Sequence, residues 1–301
     1  MIRALAARPA LLPSLGIVLG GALWGLFWLP VRALGEMGLE GAWPGAMIYL
    51  GCTAALTPVV VLRWRQLIRH ARVLAVCGLL TGTAFATYSA SLLMTEVVRV
   101  ILLFYLTPVW ATLMGIAFLG ERLTLGRAVA LVMGVGGMLV VLGIGERLPW
   151  PHNLGDWLAL ASGVAWAWGS MELYRSGGVP VVEQITAFVL GSLAVTFAGI
   201  IFGGAAFGGW PPLADLGAAV PLGFLAGLYV VPMLVLTIWP ATLLSPGRIG
   251  ILLMSDVVVG VISAALLSGE PFGLREALGT VLIVGAAVVE VLGHRDAGGV
   301  A

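Results

Sequence analysis

The chain has 301 residues, of which 60% are hydrophobic and only 10% charged, with a mean hydropathy of +1.10. Soluble domains carry roughly a quarter charged residues, so this composition excludes a soluble globular protein and describes a polytopic membrane protein. Ten helical spans would take about 200 residues, which leaves no room for a folded aqueous ATPase, kinase or binding module.

A net charge of +1 gives no footprint for a nucleic-acid partner. All 15 basic residues are arginine, so there is neither a Schiff-base lysine nor a Walker A lysine. The two cysteines, Cys52 and Cys77, lie inside apolar runs, away from any CxxC or zinc spacing.

In chain order, the N-terminus carries Arg3 and Arg8 and runs into an apolar segment from Ser14 to beyond Val31. That run holds two tryptophans and lacks a small-residue cleavage site after a short core. It reads as an uncleaved first span. The ten expected spans are 14–34, 43–63, 72–93, 98–119, 125–145, 155–174, 184–205, 217–239, 244–267 and 274–293. Each is long enough to cross a bilayer as a helix, which satisfies its own backbone hydrogen bonds where lipid cannot.

Arginine placement orients the spans. With a cytoplasmic N-terminus, 11 arginines lie inside (Arg3, Arg8, Arg63, Arg65, Arg69, Arg72, Arg122, Arg127, Arg175, Arg248, Arg295) and 4 outside (Arg32, Arg99, Arg147, Arg275). This positive-inside bias predicts that both termini are cytoplasmic.

The halves 1–149 and 150–301 resemble each other. Leu119-Gly120-Glu121 recurs as Ser268-Gly269-Glu270, an offset of 149 that also pairs Arg99 with Arg248 and Gly136 with Gly285. Leu23-Trp24-Gly25 is paired with Ala167-Trp168-Gly169. A repeated unit of five spans must enter the membrane from the opposite side the second time. The expected fold class is therefore an all-α membrane protein, ten transmembrane helices as two inverted five-helix repeats, the arrangement many secondary transporters use for alternating access. The loop after span 2 holds Arg63, Arg65, Arg69 and Arg72, whereas 203–216 after span 7 has no arginine, as inversion requires.

Three elements then carry a family resemblance: Tyr105-Leu106-Thr107-Pro108 in span 4, Gly120-Glu121-Arg122-Leu123-Thr124 before span 5, and Gly269-Glu270-Pro271 before span 10. With the duplication and the length, the chain resembles the ten-helix EamA-type permeases of the drug/metabolite transporter superfamily. Among these it looks most like bacterial amino-acid exporters, including those of aromatic amino acids. In these the Tyr-Leu-x-Pro element of span 4 is accompanied by a tryptophan in span 6, matched here by Trp166. The resemblance implies a multi-pass protein of the bacterial cytoplasmic (inner) membrane that works as a monomer without cofactor or metal.

Candidate site residues follow from depth and chemistry. Trp24, Tyr105, Trp110, Trp166 and Trp168 lie at mid-membrane depth and serve either ordinary packing or an amphipathic cavity wall. Trp24 and Trp168, as repeat equivalents, would face each other. Span 3 is rich in hydroxyls from Thr81 to Ser91, with Tyr88 the candidate for a wet cavity. Arg99 and Arg248 start spans 4 and 9. They are either snorkelling residues or gate and carboxylate-clamp groups, since arginine grips a carboxylate with two parallel hydrogen bonds. Asp256 is the acid nearest a span centre. It pairs with a neighbouring helix, holds a substrate ammonium or couples a proton. Pro108, and Pro240 to Pro246, are candidate flex points. The pairs Gly21/Gly25, Gly78/Gly82 and Gly223/Gly227 permit close helix contact.

A membrane-embedded enzyme would need a nucleophile beside a base. His70, His152 and His294 lie apart from any serine or cysteine candidate. The function expected is a secondary transporter exporting amino acids with aromatic or large neutral side chains across the cytoplasmic membrane by alternating access. The alternative is export of another small metabolite or drug such as a nucleoside, sugar or cationic compound. The partners expected are a small-molecule substrate and the lipid bilayer, with proton coupling left open.

Overall fold

The computed structural model describes residues 11–95, 100, 103–141, 151–176, 178–267 and 273–293. These residues fold as helices and short connections. The helices are α1 (Leu11–Trp24), α2 (Trp28–Glu36), α3 (Trp43–Arg69), α4 (Ala71–Ser91), α5 (Thr107–Leu119), α6 (Leu125–Val141), α7 (Leu154–Arg175), α8 (Val181–Gly203), α9 (Leu213–Ala241), α10 (Pro246–Leu253), α11 (Ser255–Leu267) and α12 (Leu274–Gly293). Five segments are long and apolar enough to cross a membrane on their own: Leu11–Glu36, Trp43–Arg69, Ala71–Ser91, Val181–Phe207 and Leu213–Ala241. Among the described residues, each of the ten expected spans overlaps at least one helix.

Local sequence sets the boundaries. Proline occupies the first turn of α3, α5 and α10, at Pro44, Pro108 and Pro246, where its missing N–H would have had no partner anyway. The Asn153 side chain caps α7 by accepting from the Asp156 amide at 2.9 Å. Helix α5 stops at Gly120, whose φ of +67° suits glycine.

Three spans are interrupted near their middles. Span 1 breaks between α1 and α2, where the amides of Leu26, Phe27 and Leu29 each donate to the carbonyl three residues back. Span 4 turns at Tyr105 and Leu106 before α5. Span 9 turns at Met254 between α10 and α11. Span 6, the helix α7, is continuous. Such tightened turns within a helix leave backbone groups available to a cavity.

The packing partners come in matched sets. Helix α8 packs on α4 and α9 on α3; α7 packs on α4 and α9 on α1; α7 packs on α5 and α11 on α1. Three further pairs, α12 with α6, α8 with α3 and α10 with α5, join spans five apart in order. Glycine permits the tightest of these approaches. A Cβ on Gly191 would strike the Gly78 carbonyl, and one on Gly227 would strike the Gly51 backbone. The expected close-contact pairs Gly78/Gly82 and Gly223/Gly227 therefore sit at real helix crossings.

One face of the bundle is tied by ions. Arg63 Nε donates to the fully buried Glu183 at 2.7 Å, joining α3 to α8. Arg127 bonds Glu121 at 2.6 Å and the Ser245 hydroxyl at 3.1 Å, joining the start of α6 to the entry of span 9. The opposite face is tied by neutral groups and one carboxylate. The Trp43 indole donates to the Gly209 carbonyl at 2.9 Å, and the Thr95 hydroxyl donates to Asp156 at 2.8 Å.

Candidate functional site

The breaks are held in place by glycines. A Cβ on Gly21 would lie 2.9 Å from the Leu253 carbonyl and also strike the Ser255 hydroxyl, and a Cβ on Gly25 would lie 2.5 Å from the Asp256 carbonyl. Span 1 thus lets the turn of span 9 come against its backbone. The Ser255 hydroxyl fixes the approach by donating to the Val18 carbonyl at 2.9 Å. At a second junction, a Cβ on Gly163 would lie 2.8 Å from the Phe104 carbonyl and 3.0 Å from the Thr107 hydroxyl. Gly163 of span 6 therefore receives the turn of span 4.

Between these junctions lies a small, partly open cavity. Its wall contains six aromatic rings: Trp24, Phe85, Tyr88, Phe104, Trp166 and Phe188. Ala84, Leu253 and Asp256 complete the lining. Trp24 meets Phe85 edge to face at 4.6 Å, and Tyr88 lies 4.8 Å from Phe104. Phe85 and Phe188 lie 5.6 Å apart, and Trp166 meets Phe188 at 6.5 Å. Contacts at these separations are worth about 0.5–1.5 kcal/mol each beyond burial, which keeps the wall stiff.

The polar groups of the wall differ in whether they are already engaged. The Trp24 indole donates to the Thr237 hydroxyl at 3.0 Å, and that hydroxyl donates to the Met233 carbonyl at 2.8 Å. Trp24 is therefore locked. The Trp166 indole N–H is buried and has no partner among the described residues. Asp256 sits in the first turn of α11, where the Val257 backbone amide faces its carboxylate. Its Oδ1 is buried with no partner among the described residues. Two of the lining residues thus hold buried polar atoms without a partner among the described residues, a donor on Trp166 and an acceptor on Asp256.

Of the residues expected at the site, Trp24, Tyr88, Trp166 and Asp256 line this cavity. Trp168 does not. It is 48% exposed on the outside of α7, while Trp166 is 5% exposed. Two residues along a helix turn it by about 200°, so the two tryptophans point to opposite faces. The expectation that Trp24 and Trp168 face each other is overturned. The contacts match Trp24 with Trp166 instead: Leu253 and Phe104 are 149 positions apart, their glycine partners Gly21 and Gly163 are 142 apart, and so are Trp24 and Trp166.

Tyr105 lies beside the cavity rather than in it. It packs against Met254, Val257 and Ile283, and its hydroxyl is buried with no partner among the described residues. Trp110 is in α5, outside the lining. Arg248 is 2% exposed within α10 and is not part of the lining. Arg99 lies outside the described residues. Phe85, Phe104 and Phe188 were not expected. Phe85 stands three residues before Tyr88 and Phe104 directly precedes Tyr105, so helical spacing and the turn signal pointed to both; Phe188 carries no local signal.

Mid-membrane cavities at interrupted helices are a feature of secondary transporters, and the fold here is that of a multi-pass α-helical membrane protein. Residues 11–143 match the model of the EamA-like transporter family. The matched family is one of transporters. A crystal structure described only as that of a protein has the same fold over 95% of this chain and 98% of its own, with a TM-score of 0.71 at 22% identity. No curated protein matches the chain.

Proposed function

We propose that the protein exports amino acids with aromatic or large neutral side chains across the cytoplasmic membrane, by alternating access around the six-ring cavity. The observation that carries this reading is the cavity itself. Its wall is apolar and stiff enough to select a bulky or planar side chain, and its open polar atoms are few enough to fix one orientation. Bound amino groups have Asp256 as acceptor, and a substrate oxygen has the Trp166 N–H as donor.

Alternating access needs two similar halves, and we assign these to 1–149 and 150–301, the second inverted. The matched packing of α8 on α4 with α9 on α3, and of α7 on α5 with α11 on α1, supports that assignment. The arginine excess supports a cytoplasmic location for the Arg63–Glu183 and Arg127–Glu121 face and for both termini. Breaking those pairs would belong to opening inward. Cysteines introduced at 122–127 should be labelled from the cytoplasm and those at 270–275 from outside. Labelling from a common face would sink the inverted arrangement.

The direct test is transport. Purified protein in liposomes is expected to move labelled phenylalanine and tryptophan faster than empty vesicles do, and faster than it moves sugars or nucleosides. Trp166→Ala and Tyr88→Ala should each slow that transport about tenfold or more, because each removes part of the wall. Trp168→Ala, on the outer face of the same helix, should leave it unchanged. If sugars move and amino acids do not, the substrate assignment is wrong.

A further inference from the structure

We infer that the cavity selects its occupant by charge, preferring a monovalent organic ammonium ion with an aromatic body over the zwitterionic amino acid of the same shape, with Asp256 as the counter-ion. This rests on the transport reading above and ranks aromatic amines and carboxyl-blocked amino acids above free amino acids as occupants of the same cavity.

The argument is a charge balance. Among the described residues lining the cavity, Asp256 is the one charged side chain. Its Oδ1 is buried and bonded to no described residue. An acid inside a membrane protein normally meets a partner charge or marks a ligand site. Arg248, the basic residue of the same span, is eight positions earlier in α10, about 12 Å along a helix axis, and does not line the cavity. An ammonium group beside Oδ1 gives the occupied cavity no net charge.

The wall adds to the same preference. Six aromatic rings surround the site, and ring faces attract cations, most strongly where water is excluded. They offer nothing comparable to an anion. A zwitterion would bring a carboxylate into a space that already holds one, with only the neutral Trp166 N–H to receive it. A carboxamide, an ester or no second group at that position avoids the repulsion, and an amide or ester oxygen still accepts from the indole. Thr107, at the start of α5, sits 149 positions before Asp256 and adds no charge of its own; its hydroxyl already donates to the Phe104 carbonyl.

The test is a series of phenyl compounds that differ in charge alone, measured by equilibrium dialysis against the detergent-solubilised full chain. Phenethylamine and phenylalaninamide are the cations, phenylalanine the zwitterion, 2-phenylethanol the neutral analogue and 3-phenylpropionate the anion. The cations are expected to bind about tenfold more tightly than phenylalanine, and phenylpropionate the most weakly. Asp256→Asn should bring phenethylamine down to the affinity of 2-phenylethanol while leaving 2-phenylethanol unchanged. Equal binding of phenethylamine and phenylpropionate, or an amine affinity untouched by Asp256→Asn, would overturn the inference. The wild-type series decides the matter alone if Asp256→Asn fails to fold. Liposomes separate this outcome from the parent reading. If phenylalanine is transported and the amines do not compete, charge selection is rejected and amino-acid export stands; if no phenyl compound binds or moves, both are rejected.

Discussion

The junction of spans 1 and 9 and the junction of spans 6 and 4 build similar cradles and finish them differently. In one, Gly21 receives the turn of span 9 and Trp24 reaches the cavity three residues later; in the other, Gly163 receives the turn of span 4 and Trp166 does the same. The Trp24 indole is engaged by Thr237. The position 149 earlier than Thr237 is Tyr88, which is a ring of the wall. At the turns, Thr107 occupies the place that Asp256 holds 149 positions later. One bonds the backbone of the preceding turn, and the other has a buried carboxylate oxygen without a partner among the described residues. Backbone geometry is thus shared between the two junctions while polar chemistry is divided: an unpaired donor belongs to the junction of spans 6 and 4 and an unpaired acceptor to that of spans 1 and 9. A ligand that uses both must have a defined direction in the cavity, which two chemically identical junctions could not impose.

The comparison breaks most visibly at the glycines. Gly21→Val and Gly163→Val each force a side chain into a neighbouring carbonyl, and each is expected to cost about 3 kcal/mol, the upper end of ordinary overpacking. Thermal unfolding in detergent would measure both. Similar losses are expected because the two junctions are alike; a large loss at Gly21 with none at Gly163 would mean that only the span 9 junction is tight.

Smaller effects separate the two tryptophans. Thr237→Val removes the acceptor of the Trp24 indole and leaves a part-buried N–H without its partner, at a cost of about 1 kcal/mol. Transport should also slow, since the freed ring no longer holds its place in the wall. Trp166→Phe removes an N–H that is bonded to no described residue. Stability should therefore change less than with Thr237→Val, while affinity for substrates bearing a carbonyl or carboxylate falls. If Trp166→Phe destabilises more than Thr237→Val, the division into an engaged and an open indole is wrong.

Much of this was legible from composition and spacing. Continuous apolar runs fix where helices lie in lipid, because no other single-segment structure satisfies the backbone there. The small-residue pairs announced their crossings for a similar reason, since only glycine admits such contact. The breaks were legible only in part. Pro108 marks the start of α5, but the turns at Met254 and after Trp24 have no proline within them and arise from contacts between distant spans. The pairing of Trp24 with Trp168 failed because a shared Trp-Gly dipeptide outweighed the true register, which is visible only once Gly21 and Gly163 are seen against their carbonyls. Phe188 was invisible because its role depends on α8 crossing α4, a long-range contact with no local pattern.

The smallest expected effect tests which half supplies chemistry at the turn. Tyr105 is part of the motif that carries the family resemblance, and its hydroxyl invites a functional role. Its counterpart 149 positions later is Met254, an apolar residue that packs in the same cluster. If the two turns are alike in packing, an apolar ring should serve at Tyr105 as well. A buried hydroxyl without a partner is a cost to the fold, so Tyr105→Phe should leave stability unchanged or raise it by up to about 1 kcal/mol, with transport unaltered. Tyr88→Phe is the useful contrast, because Tyr88 lines the cavity with Asp256 and loss of its hydroxyl can alter substrate affinity without touching the fold. Lost transport in Tyr105→Phe, with normal unfolding, would move the polar chemistry of span 4 into the site and end the division of labour between the two turns.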